Sequence, residues 1–153
     1  MADRCYEDFV VGEEFRSPGK TFTEAEIVDF AFRFDPQPIH IDSPAAAAGS
    51  YGGLIASGWH VVAVAFRLFH MTGVLGPASL GSPGIEALRW LKPVRPGDTV
   101  RTVVTVADRR PSRSRPDRGI VILDYRAINQ DGEEVMSMRA IQLVRRREGG
   151  GDE

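Results

Sequence analysis

Between Trp59 and Phe69, within the stretch SGWHVVAVAFRLFHMTG (residues 57–73), only His60 and Arg67 are polar. Eleven residues apolar nearly all round leave no face for water, so a helix made from them belongs inside a protein. Val61, Val62 and Val64 are β-branched, but the length without a turn signal favours helix over strand. Gly73 and the GPASLGSPG run close the element and form a loop. Arg67 interrupts the segment, which excludes a bilayer span. The rest of the chain must therefore wrap this helix. At 153 residues, 42% of them apolar, it has the size of one domain with a substantial core.

The material for the wrapping lies on both sides. From residue 84 the pattern turns to β: GIEALRWLKPV, the turn RPGD, then TVRTVVTVADR with Val100, Val103, Val104 and Val106. GIVILDYRAINQDGEEVMSMRAIQLVRR reads as two strands joined at Asp131-Gly132, a strong hairpin signal. An earlier strand is expected over EEFRSPGKTFT. A short helix follows it, with Thr23 and Glu26 as a capping box and Phe22 and Ile27 as a hydrophobic staple. Ile27, Phe30, Ala31 and Phe34 form its apolar stripe, and Pro36 ends it. No βαβ alternation appears, which argues against a doubly wound parallel sheet. The elements fit one α+β hotdog domain over residues 1–147, a curved antiparallel sheet wrapped around the central apolar helix. Residues 148–153 read as a flexible polar tail.

Charge and cysteine content narrow the function classes. A net charge of −2 offers no overall field for nucleic acid or an anionic membrane. The single cysteine, Cys5, excludes an intrachain disulfide framework and a cysteine-based zinc site. Three scattered histidines make a poor metal site. The start MADRCYEDFV lacks the basic and apolar regions of a secretory signal, so a soluble cytoplasmic protein is expected. Residues 108–119 carry five arginines, diluted by Asp108 and Asp117 and without interleaved aromatics, which reads as a solvated loop. His60 reads as a satisfied core group, and Arg67 needs solvent or a partner such as Asp29 or Glu86.

The chemistry-bearing stretch is FDPQPIHID, residues 34–42. Asp35 and His40 are either ordinary loop residues or an acid–base pair whose spacing the prolines hold. The two prolines imply an extended, non-helical loop, in which residues five apart point to opposite faces. Convergence then requires a bend at the helix exit. Asp42 and Ser43 read as turn or cap residues. Further on, Gly52, Gly53 and Gly58 flank the start of the apolar helix. They serve either close helix–sheet packing or close approach of a ligand to free N–H groups at the helix N-terminus.

The run from FRFDPQPIHID through GGLIASGWH resembles the hydratase signature of MaoC-like proteins, the (R)-specific enoyl-CoA hydratases and dehydratases of the hotdog superfamily. Asp35, Pro38 and His40 match its Asp and Pro-x-His positions, and LKPVRPGDTV resembles the strand and turn that follow the central helix. The resemblance covers about residues 10–146. It implies hydration of a trans-2-enoyl thioester to the (R)-3-hydroxyacyl thioester, or the reverse, with Asp35 as general base and His40 orienting water and carrying a proton. It also implies that Gln37, Gly53, Ser57 and Gly58 hold the substrate or its thioester oxygen. Arg113 and Arg115 are candidates for phosphate contacts with coenzyme A, which enters as part of the substrate and not as a cofactor. No metal or redox group is implied, and a homodimer with pockets lined by both subunits is. Phe34, Gln37 and Ser57 stand where the family pattern has Gly, Asn and often His. Two other readings remain open: thioester hydrolysis on the same fold, and a non-catalytic acyl-thioester-binding module.

Overall fold

The computed structural model describes residues 3–148, so the tail expected over residues 148–153 lies, but for Glu148, outside the described residues. Its element order is a 3-10 turn (Tyr6–Asp8), β1 (Glu14–Arg16), β2 (Lys20–Thr21), α1 (Glu24–Phe34), α2 (Pro38–Ile41) and α3 (Ser43–Ala48). Then come α4 (Gly58–His70), β3 (Gly84–Trp90), β4 (Thr99–Pro111), β5 (Arg118–Ile128) and β6 (Glu134–Arg145). The strands form an antiparallel sheet in the order β1-β4-β5-β6-β3, with β2 also paired to β4. This is the hotdog arrangement anticipated from the helix and strand pattern.

The sheet buries alternate residues. Along β5 the inward set is Val121, Leu123, Tyr125 and Ala127, and Tyr125 pairs with Val104 of β4 and Met138 of β6. Val61, Ala65, Leu68 and Phe69 of α4 are buried, and all but Leu68 join these strand residues in one core cluster. The Phe69 ring meets Tyr125 edge-on at 5.3 Å, and Thr102 donates its hydroxyl to the Ala65 carbonyl. At the β5–β6 turn Gly132 takes φ +76°, and Asn129 Oδ1 accepts from the N–H groups of Asp131 and Glu133. A residue other than glycine is strained at that φ, so the Asp131-Gly132 signal has a direct cause.

Four features differ from the sequence reading. The first strand is broken into β1 and β2 around Pro18, which has no N–H to give a ladder. The arginine-rich loop shrinks to residues 112–117, because β4 continues through Pro111 and Arg109 lays its guanidinium 5.2 Å over Tyr6. Phe34 is 69% exposed instead of completing the α1 stripe. Phe30 stacks on His60 of α4 at 4.6 Å, and one turn later α1 has run past the core. Finally, this chain covers only one side of α4. Trp59, Ala63, Phe66, Arg67 and His70, spaced as a single helical stripe, stay exposed. Arg67 makes no ion pair among the described residues, since Asp29 pairs with Arg33 instead. Among the described residues no helix is long and apolar enough to cross a membrane.

Candidate active site

Two helix ends meet at Asp35. Its backbone is the C-cap of α1, with the N–H bonded to the Ala31 carbonyl at 2.8 Å. Its carboxylate faces the start of α4. The chain then turns back at once instead of running extended. Pro36 stops α1, but Pro38 opens α2, where a missing N–H costs nothing. The one turn of α2 answers the opposite-faces problem: it swings His40 round until Nε2 stands 3.3 Å from Asp35 Oδ2. Asp42 then caps α3 by accepting from Ala45 N–H.

The pair is held from every side. His40 is 4% exposed, and its Nδ1 lies 2.7 Å from the Ile55 carbonyl. A carbonyl only accepts, so Nδ1 carries the proton and Nε2 faces the carboxylate. In a doubly protonated imidazolium the Nε2–H would donate to Oδ2. Ser57 donates its hydroxyl to Asp35 Oδ2 at 2.7 Å, and Gln37 donates its amide to Oδ1 at 2.7 Å. Burial pushes the Asp35 carboxyl up. The hydrogen bonds from Ser57 and Gln37 and the charge of His40 outweigh it and hold the group below the ordinary carboxylate value. Asp35 is therefore ionised at neutral pH.

Asp35, Gln37 and His40 open onto a cleft of about 420 Å³ whose other walls come from Gly58 and Trp59 of α4 and from Trp90 to Val94. It is the kind of site that takes a small molecule: concave, walled mostly by apolar side chains, with polar groups converging at one side. Gly58 lies under the Trp90 indole, with no space for a side chain between them.

The structure sorts the sequence candidates. Asp35, Gln37, His40 and Gly58 line the cleft together. Gly53 does not line it; a Cβ there would meet the Arg95 guanidinium at 3.6 Å, and Arg95 is tied to the Tyr51 carbonyl at 2.5 Å. Ser57 is 0% exposed and offers nothing to a substrate directly. Arg113 and Arg115 sit at the far end of the β4–β5 hairpin, because Arg101 pairs with Ile128 near the cleft and Pro111 with Gly119 at the other end. They do not reach the cleft of their own chain. Trp90, Trp59 and Tyr51 were not singled out from sequence; an aromatic on the strand facing the glycine-flanked helix start was the available signal.

Residues 8–122 match the family model described as MaoC like domain. The chain is 41% identical to a MaoC-like dehydratase from Rhodospirillum rubrum, with a TM-score of 0.84 over 94% of this chain and 98% of that one. The (R)-hydratase PhaJ1 from Pseudomonas aeruginosa, in its unliganded form, is 26% identical, with a TM-score of 0.76 over 94% and 86% of the two chains. The uncharacterized protein YdeM of Bacillus subtilis is 30% identical over 140 residues, 92% of this chain and 98% of the relative.

Proposed function

The chain belongs to the MaoC-like domain family of hotdog hydratases and dehydratases, and within it we propose a hydratase that interconverts a trans-2-enoyl thioester and its (R)-3-hydroxyacyl thioester. The observation that carries this reading is the Asp35–His40 pair, 3.3 Å apart at the wall of an apolar cleft. A water bound beside the pair, within reach of both, gives a proton to Asp35 as its oxygen attacks C3, while a proton on His40 Nε2 passes to C2. Both transfers come from one face, so the addition is syn, and dehydration follows the same path backwards. A general acid–base step of this kind is worth roughly 10²–10⁴ in rate. The thioester oxygen, which gains negative charge as C3 is attacked, is assigned to the uncapped N-terminus of α4 at Gly58, where free N–H groups and the helix dipole favour an anion.

The acyl carrier is proposed to be coenzyme A. Lys92 lines the cleft and is paired with Glu133, so the mouth carries a cation that a phosphate can recruit. A second copy of the chain is proposed to cover the exposed stripe of α4 and the open edge at β3, where Trp59, Phe66, Ile85 and Trp90 are exposed. The cleft lies beside that stripe, so its outer wall belongs to the dimer.

The test is product identity. Incubation with trans-2-enoyl-CoA substrates of several chain lengths, followed by chiral chromatography, should yield the (R)-3-hydroxyacyl-CoA with no free thiol. Thiol release equal to substrate loss would make the protein a hydrolase. Binding without any turnover would make it an acyl-thioester-binding module.

A further inference from the structure

Three residues stand at the N-caps of α1, α3 and α4 with side chains suited to capping. Thr23 caps α1 by accepting from Glu26 N–H, and Asp42 caps α3 by accepting from Ala45 N–H. Ser57, the N-cap of α4, does not cap. Its hydroxyl reaches instead to Asp35, 22 residues earlier, and makes the 2.7 Å bond to Oδ2. Serine is among the preferred N-cap residues, so giving up the cap needs a compensating partner.

Two consequences meet in this one bond. The serine is locked by its own helix, since its carbonyl accepts from Val61 N–H at 3.1 Å, and it is fully buried. A hydroxyl fixed in that way fixes whatever it bonds. Asp35 Oδ2, also the oxygen facing His40 Nε2, therefore has its direction set by α4 while its backbone is set by α1. At the same time the first amides of α4 carry no side-chain cap among the described residues.

Resting on the hydratase reading above, we infer that Ser57 is a positioning residue which ties the general base to the start of α4 and, by not capping, leaves the same helix N-terminus open for the thioester oxygen. Base and oxyanion site are then parts of one rigid unit, with Ser57 as the joint. This differs from the direct substrate contact that the sequence resemblance implied for Ser57.

The experiment compares Ser57→Ala, Ser57→Thr and Asp35→Asn, singly and with Ser57→Ala combined with Asp35→Asn. Misplacing a catalytic group by about 1 Å costs on the order of 10²-fold. Ser57→Ala is expected to lower kcat by about 10- to 100-fold with KM within about twofold. The acid limb of its pH–rate profile should move up, because a donor that favours the carboxylate is gone. Ser57→Thr, which keeps the hydroxyl, should recover part of the rate. In the Asp35→Asn background Ser57→Ala should add no further loss. A second readout does not need turnover: the titration midpoint of the Asp35 carboxyl, followed by carbon NMR, should rise in Ser57→Ala. An unchanged rate profile in an active protein overturns the inference while leaving the hydratase reading intact. So does the same fractional loss in both Asp35 backgrounds, or an unmoved carboxyl titration. If the wild type turns over no enoyl thioester, the hydratase reading fails, and the carboxyl titration still decides whether Ser57 holds Asp35.

Discussion

Placing a methyl group on Gly58 tests whether the Trp90 indole is seated on the start of α4. A Cβ built there lies 2.3 Å from Cε2, 2.5 Å from Nε1 and 2.8 Å from Cδ2 of Trp90. Carbon atoms prefer about 3.5–4.0 Å, so the indole must retreat by more than about 1 Å. Overpacking of this kind costs roughly 1–3 kcal/mol. The helix-interior gain of about 0.8–1.0 kcal/mol for alanine over glycine is an upper limit at the first residue of α4, so Gly58→Ala is destabilised by about 0–3 kcal/mol. In a Trp90→Ala background the clash vanishes and only the helix gain remains, so the same substitution should stabilise by up to about 1 kcal/mol. The sign of the effect therefore reverses between backgrounds, with a coupling of about 1–3 kcal/mol. Urea denaturation of the four proteins at one fixed concentration measures it. Gly58→Ala stabilising both backgrounds equally would refute the seating of Trp90 and with it this wall of the cleft.

Other outcomes follow from the same structure. Burial holds His60 below its ordinary value of 6.5, between the rings of Phe22 and Phe30, with Glu26 pulling the other way and Lys20 adding to the effect. The unfolded chain takes up this proton first, so stability should fall as pH drops through about 6.5 toward the lower folded value, and His60→Phe should lose that part of the dependence in urea midpoints. Asp35 is also depressed and the consequence has the same sign at lower pH: its ionised-state stability is present at neutral pH and lost as pH falls through the carboxylate range toward the lower folded value, a loss Asp35→Asn should abolish. Phe66→Glu places a charge on the exposed stripe of α4 away from the cleft residues, and sedimentation velocity should show the proposed dimer for the wild type and a monomer for the variant.

Local signals were legible in the sequence; long-range ones were not. The capping box at Thr23 and Glu26 and the Asp131-Gly132 turn depend on neighbours within a few residues and formed as read, and Phe22 and Ile27, read as a staple, are both buried in the core. The apolar pattern of α4 identified a helix, but one sheet covers one side only, and the pattern does not say which side a single chain leaves open. Pro38 misled because the same residue that blocks a helix interior starts a helix well, and the distinction lies in what precedes it. Phe34 fits the α1 period yet falls beyond the contact with α4, a fact of helix placement and not of spacing. Asp35 and His40 were visible as a pair, whereas the role of Ser57 rests on a bond spanning 22 residues that no local pattern encodes. The displacement of Arg113 and Arg115 from the cleft likewise depends on which end of a hairpin faces the site.

The most direct test of the account follows loss of enoyl conjugation in crotonyl-CoA by wild type, Asp35→Asn and His40→Gln, with a thiol probe in the same cuvette and circular dichroism to verify folding. The account predicts turnover by the wild type without thiol release, and a fall of about 10²-fold or more in each folded variant. Variants that keep rates within a few-fold of the wild type, or thiol appearing in step with substrate loss, would contradict it.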